Sequence, residues 1–231
     1  MIKENISLVK KRIAIVCAKN NRRAELITIV AVTKGRTAEQ IQSVLESGIA
    51  DIGENRVQET LLKYADLTAK TYNSTPIKWH MVGHLQTNKV KPAVEMFDLI
   101  HSVDSLSLAK AIDRCSAQLN KIQDILLQVN TSAEATKSGF STQEIIKVIP
   151  EISGLKNINL KGLMTIAPVV ADPREARPYF RFLRELRDKI NALRITHYTL
   201  HILSMGMSDD FEVAIEEGSN MLRLGRSIFN D

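Results

Sequence analysis

Two hydrophobic rhythms take turns along this chain. Short apolar runs with the period of two expected of strands cover Leu26–Thr33, Ile49–Gly53, Ile77–Val82, Asp98–Val103, Asp124–Asn130, Leu160–Ile166, Tyr198–Ser204 and Met221–Gly225. Between them the apolar positions recur at helical spacing over Thr37–Ser47, Asn55–Leu67, Asn88–Glu95, Leu106–Leu119, Thr142–Ile152, Arg174–Leu193 and Ser208–Glu217. Ahead of all these, Ile6, Val9, Ile13 and Val16 share one helical face and predict an additional N-terminal helix.

Strands separated by helices pair in parallel, because a parallel neighbour is reached only by a long crossover. An open doubly wound sheet and a closed barrel both satisfy this. Eight strand–helix units within 231 residues favour closure, an α/β-class (β/α)8 TIM barrel with one extra helix in front. No stretch rich in Pro, Gly or Ser interrupts the alternation, so residues 1–231 are expected to form one domain.

Composition narrows the setting. The chain is 44% hydrophobic and 25% charged, an ordinary globular balance. No apolar run approaches the ~20 residues of a membrane span, so no membrane partner is expected. Charges scattered through the first nineteen residues argue against a signal peptide. Two cysteines, Cys17 and Cys115, do not make a disulfide framework, and a reducing cytoplasm is the expected location. The net charge of +5 suits a small phosphorylated ligand as well as it suits nucleic acid. The basic helix positions Arg174, Arg177, Arg181 and Arg184 alternate with Glu185 and Asp188 and read as a solvated face, so nucleic acid is not the expected partner. Asp172 to Glu175 reads as a capping box, with Pro178 delaying or kinking the helix that follows.

In such barrels chemistry sits at the C-terminal strand ends. Strand one ends on Lys34, followed by Gly35, Arg36 and the helix-starting Thr37. A lone lysine there is either a solvated cap or an amine held for covalent chemistry. Arg36, Lys137 and Arg223 could converge on it if the barrel closes, lowering its proton affinity. Strand seven runs into Ser204–Asp210, where Ser208 looks like a helix N-cap able to hold an anion or simply to cap its helix, with Asp209 and Asp210 complementing the dipole. Strand eight runs into Gly225, Arg226 and Ser227, and these two loops are the usual phosphate cradle of the barrel. Arg223 interrupts the run Met221–Leu224 and faces away from Leu222 and Leu224, toward the ligand mouth or a buried ion pair. A phosphate site beside a lysine points to a Schiff base with an aldehyde such as pyridoxal 5′-phosphate. His80 and His84 flank Gly83 and are expected to diverge rather than bind metal; His201 reads as a barrel residue and Trp79 as structural.

Seven stretches in order, AVTK (31–34), GENRVQE (53–59), WHMVGHLQTNK (79–89), KSGF (137–140), GLMTIAP (162–168), SMGMSDD (204–210) and LRLGRSIF (222–229), resemble the YggS/PROSC family of pyridoxal phosphate homeostasis proteins. The resemblance covers essentially the whole chain. It implies a fold type III barrel similar to the N-terminal domain of alanine racemase, and a cofactor-binding set of Lys34, Asn55, Lys137, Met205, Ser208, Arg223, Gly225 and Arg226. Within it Lys34 matches the Schiff-base lysine and Arg223 the arginine facing the pyridine nitrogen. Ser208, Gly225 and Arg226 fall where phosphate is held, Asn55 lines the pocket, and Lys137 matches a second lysine associated with cofactor transfer. Arg36 departs from a lysine common in the family, Arg226 from a small residue such as threonine, and the ending FND lacks the usual glycine-containing tail.

An arginine at the ring nitrogen leaves that nitrogen unprotonated and weakens the ring as an electron sink. Racemisation would also need an acid/base on the second face, which alanine racemase takes from a tyrosine of another domain. Tyr64, Tyr72, Tyr179 and Tyr198 follow no such domain here. The expectation is a monomeric, non-catalytic holder of pyridoxal phosphate covalently bound to Lys34, serving cofactor homeostasis, delivery to apo-enzymes and amino-acid and keto-acid balance. A pyridoxal phosphate-dependent racemase or another Schiff-base barrel enzyme is the alternative.

Overall fold

The computed structural model describes residues 1–68, 76–134, 137–196 and 199–230; Tyr72 and Tyr198, and Ala135 and Thr136 of the fifth junction, lie outside them. Helix α1 (Ile2–Lys19) is followed by β1 (Thr28–Val32), α2 (Ala38–Glu46), β2 (Asp51–Glu54), α3 (Val57–Thr68), β3 (Lys78–Met81) and α4 (Val90–Met96). Then come β4 (Leu99–Val103), α5 (Leu106–Gln118), β5 (Gln123–Gln128), α6 (Thr142–Ser153), β6 (Ile158–Met164) and α7 (Arg177–Leu193). The chain finishes with β7 (Ile202–Ser204), α8 (Phe211–Glu216), β8 (Met221–Leu224) and the short α9 (Arg226–Phe229). The strands pair in parallel in chain order, and β8 returns to β1 to close the barrel.

Local sequence explains most element ends. Thr37 accepts from the Gln40 N–H while the Gln40 side chain accepts from the Thr37 N–H, a capping box that starts α2. Ser141 and Glu144 do the same for α6. The seventh helix begins later than its apolar pattern, at Arg177, because Pro178 is tolerated only in a first turn. Before it lies a 3-10 turn, Pro173–Ala176, and Asp172 accepts from the Arg174 N–H at 2.9 Å in place of the expected capping box. The face of α7 converges on Glu217, which Arg177, Arg181 and Arg184 reach at 3.0, 3.1 and 2.9 Å, and Arg177 also pairs with Glu216.

Alternation along each strand divides the core. Outward residues such as Trp79, Ile100, Leu163, Leu222 and Leu224 pack under the helices with Phe97, Phe180 and Phe211. Inward residues Val30, Val82, Leu99, Leu126, Met164 and Met221 form a smaller apolar cluster inside the barrel. Helix α1 buries Ile6, Val9, Ile13, Val16 and Cys17 and packs against α2, α8 and α9. His201 is exposed just ahead of β7 and is not the barrel histidine expected there.

That place is taken by His80 and His101, in a polar chain across the barrel interior. Arg223 Nη1 donates to Ser204 Oγ at 2.6 Å. Ser204 Oγ lies 2.9 Å from His101 Nδ1, His101 Nε2 lies 2.9 Å from His80 Nδ1, and His80 Nε2 lies 3.0 Å from Asp51 Oδ1. A guanidinium only donates and a carboxylate only accepts, so the serine oxygen accepts at one end and Asp51 at the other, while the direction of the bonds between them follows the tautomers of the two rings. Burial, followed by the neighbouring His80 and Arg223, holds His101 well below the usual histidine range.

The sign of the resulting pH dependence is definite. Unfolded His101 protonates near pH ~6.5, whereas the folded ring stays neutral there, so stability is present above that pH and lost as pH falls below it. His101→Gln should remove a loss on the order of 1 kcal/mol between pH 7.5 and 5.5, read from urea midpoints of both proteins. Trp79, 1% exposed with its indole N–H donating to Thr68 Oγ1 at 3.2 Å, tests the outer core. Trp79→Ala should cost about 3–5 kcal/mol in the same urea measurement.

Candidate functional site

The C-terminal strand ends surround a cavity of about 600 Å3. Lys34, Asn55, Lys137, Ser208, Arg223, Gly225 and Arg226 all line it, although they come from five different strand ends spread over the whole chain. Met205 does not: its side chain is fully buried in the outer core. Ser204 points into the barrel, so the next residue must point out. Met207, past the turn at Gly206, lines the cavity instead.

Arg223 forms the floor. It is 5% exposed, and besides Ser204 its Nη2 donates to the Thr165 carbonyl at 2.8 Å. Burial pushes the guanidinium down to about 10, against the raising influence of Asp210, and it remains a cation at neutral pH. Asp210 is itself pushed up by burial and accepts from the Met207 N–H at 2.6 Å.

The wall at β7 and β8 differs from the sequence expectation in one respect. Ser208 does not cap α8, which starts at Phe211. Its hydroxyl instead accepts from the Ser227 N–H at 3.1 Å and lies 3.2 Å from the Ser227 hydroxyl. Asp209, expected beside the helix dipole, forms an ion pair with the Arg226 guanidinium. What lines the cavity here is therefore Ser208, held by Ser227 behind it, together with Gly225 and Arg226. A Cβ added to Gly225 would meet only Val32, at 3.6 and 3.7 Å, so the glycine leaves room that a ligand can use. Ser227 belongs to the strand-eight junction already read as part of the cradle, and its pairing with Ser208 appears only when the two loops meet.

The opposite wall holds the lysines. Lys34 is exposed and makes no ion pair among the described residues. Lys137 is held by Glu134 at 2.7 Å, and the Arg36 guanidinium sits 4.7 Å from the centre of the Phe229 ring. The three cations expected around Lys34 thus share its cavity, but each has a partner of its own. Asn55 is placed by a close approach: a Cβ on Gly83 would fall 2.3 Å from the Asn55 carbonyl oxygen. His84, at the same rim, pairs with Asp104 at 3.1 Å while His80 points into the barrel, and among the described residues no cluster suited to a metal occurs.

This donor set fits pyridoxal phosphate. A permanent cation at the deep end suits an unprotonated ring nitrogen, hydroxyls and backbone N–H groups suit a phosphate, and an exposed amine suits an aldehyde. A family model described as "Alanine racemase, N-terminal domain" matches residues 2–231. The pyridoxal phosphate homeostasis protein of Aquifex aeolicus is 40% identical over 228 residues, covering 99% of this chain and 97% of that protein. Its counterpart in Escherichia coli K12 is 33% identical over 229 residues, covering 99% and 95%. Among solved structures, PipY of Synechococcus elongatus with PLP bound is similar at a TM-score of 0.84 and 31% identity, covering 99% of this chain and all of that one. Alanine racemase of Clostridium difficile shares the fold, with a TM-score of 0.75 at 16% identity over 56% of its length. The chain belongs to the pyridoxal phosphate homeostasis proteins, a family built on the alanine racemase N-terminal barrel.

Proposed function

We propose that this protein binds pyridoxal 5′-phosphate reversibly, with Lys34 as the covalent anchor, and serves cofactor storage and delivery rather than turnover. The observation that carries the reading is the convergence of Lys34, Arg223, Ser208 and Gly225 on one cavity. The PLP-bound PipY structure, at 31% identity over the whole chain, supports it.

The cofactor supplies an aldehyde carbon to which an amine can bind. Lys34 would provide that amine and hold the cofactor through it reversibly, since its side chain is exposed at the cavity rim. Arg223, a buried donor-only cation at the cavity floor, would face the ring nitrogen and leave it unprotonated, which would disfavour chemistry at the α-carbon of an amino acid. Ser208 and the N–H groups at Gly225 and Arg226 would hold the phosphate, with Ser227 fixing Ser208 in place. Lys137, in reach of the same space, is placed to compete for the aldehyde during release.

Neither Tyr64, whose ring packs 5.4 Å from Trp79, nor Tyr179 lines the cavity, so neither supplies a proton on the second face. The physiological consequences we infer are delivery to apo-enzymes and balance of amino and keto acids, by a monomer in the cytoplasm. Among the described residues no helix is long and apolar enough to cross a membrane.

Mixing the protein with pyridoxal phosphate should give a yellow absorbance, and borohydride should fix the label on the Lys34 peptide. Lys34→Ala should lose both, while keeping the wild-type thermal transition because the side chain is exposed. A label at another lysine in the wild type would overturn the anchor assignment. Robust racemisation by the purified protein would overturn the holder reading.

A further inference from the structure

Lys34 is flanked by residues that are both tied to a charged cluster on the far side of β1, away from the cavity. The β1–β2 ladder ends where the Thr33 N–H donates to the Gly53 carbonyl at 2.9 Å. Beyond it the chain makes a turn in which the Arg36 N–H donates back to the Thr33 carbonyl at 3.1 Å and Gly35 adopts φ +67°. Lys34 is the second residue of that turn. Its own side chain makes no ion pair among the described residues, so the direction of its amine is set by how firmly the turn is held.

Three residues hold it. Lys63, on α3, donates to the Thr33 carbonyl at 3.0 Å and to Glu54 Oε1 at 2.6 Å. The Thr33 hydroxyl donates to the same Glu54 oxygen. On the other side of Lys34, the Gly35 N–H donates to Glu59, which lies one helical turn before Lys63 and 4.0 Å from its ammonium. One ammonium therefore connects the residues before and after Lys34 to a single helix.

The composition of this cluster is informative. Glu54 is fully buried, its Oε2 has no hydrogen-bond partner among the described residues, and burial pushes the carboxyl up despite Lys63 and Thr33. Lys63 is 11% exposed. A buried charge pair of this kind is often no more stable than apolar side chains of similar volume. Its bonds end on the backbone around Lys34, so geometry is the property it supplies.

We propose that Lys63, together with Glu54 and Glu59, is a positioning latch that holds the Lys34 turn and thereby slows loss of the cofactor. The inference rests on Lys34 as the anchor, and the test separates the two. Lys63→Met keeps the length of the side chain and removes the ammonium; Lys63→Arg keeps a donor; Glu59→Ala removes the Gly35 acceptor at a half-exposed site.

In the cofactor-free protein, Lys63→Met should raise amide hydrogen exchange at Gly35 and Arg36 about tenfold, the loss of one hydrogen bond, with core amides unchanged. In protein loaded with pyridoxal phosphate it should speed release, followed by the decay of the yellow absorbance in the presence of a competing amine, by about tenfold as well. Lys63→Arg should restore most of both, and Glu59→Ala should shift both in the same direction by a smaller factor. Unchanged exchange at Gly35, or unchanged release with faster exchange, overturns the latch. If Lys63→Met does not fold, Glu59→Ala decides on the same two readouts. Failure of the wild type to label at Lys34 overturns the anchor assignment, and with it the functional half of the latch, while the exchange result still reports whether the turn is held.

Discussion

Backbone pairing between β8 and β1 sets Thr28 against Met221, Val30 against Arg223 and Ala31 against Leu224. Everything at the site follows from that register. Because inward positions recur every second residue, Val30 and Arg223 share the barrel interior, and the next turns of both strands emerge side by side at the rim. Lys34 and Gly225 are therefore neighbours across a seam that joins the two ends of the strand order. A slip of one residue would send Arg223 out under the helices and bring Leu222 and Leu224 into the mouth. The apolar pair Leu222 and Leu224, buried in the outer core, makes such a slip costly, so hydrophobic burial on one face aims the cation on the other.

An arginine buried this deeply needs acceptors, and the chain across the barrel provides them without adding a countercharge beside it. Ser204 and the Thr165 carbonyl accept from it directly, and two histidines link the serine to Asp51 on β2. A carboxylate in contact with Arg223 would satisfy it more strongly but would also neutralise the field at the cavity floor. The hydroxyl and the carbonyl leave the charge intact. The cost is a His101 ring that stays unprotonated while the barrel is folded.

Alternation made the barrel readable from the chain, since each strand and each helix imposes its own period, and the site residues were readable because parallel closure collects C-terminal strand ends at one rim. What was not readable depends on contacts between junctions. Ser208 has the chemistry of an N-cap, but α8 starts three residues later and its hydroxyl turns to Ser227. Met205 stands in a stretch that reads as site, yet the inward Ser204 forces it outward. His201 and His101 both sit near strand residues; only pairing decides that His101 is enclosed and His201 exposed. Arg36 looked like a cation for Lys34 until Phe229, on a helix too short to leave a periodic signature, gave it a ring to cover.

The two ends of the cavity are built from different materials. At the floor, Arg223 is locked by two hydrogen bonds, enclosed by the inner apolar cluster and 5% exposed. At the rim, Lys34 is exposed, and beside it Lys137 lies on a loop held by Asn130 and Glu134. Rigid, dehydrated contacts give affinity because they require no reorganisation on binding, whereas an exposed C=N bond stays within reach of water and of competing amines. An enzyme that cycles a cofactor through many turnovers gains by enclosing that bond. A protein whose task is to hold the cofactor and give it up gains by enclosing only the ring and phosphate, and by leaving the covalent link where an incoming amine can reach it. The distribution of burial in this barrel, enclosed at Arg223 and open at Lys34, supports the proposed role of holder.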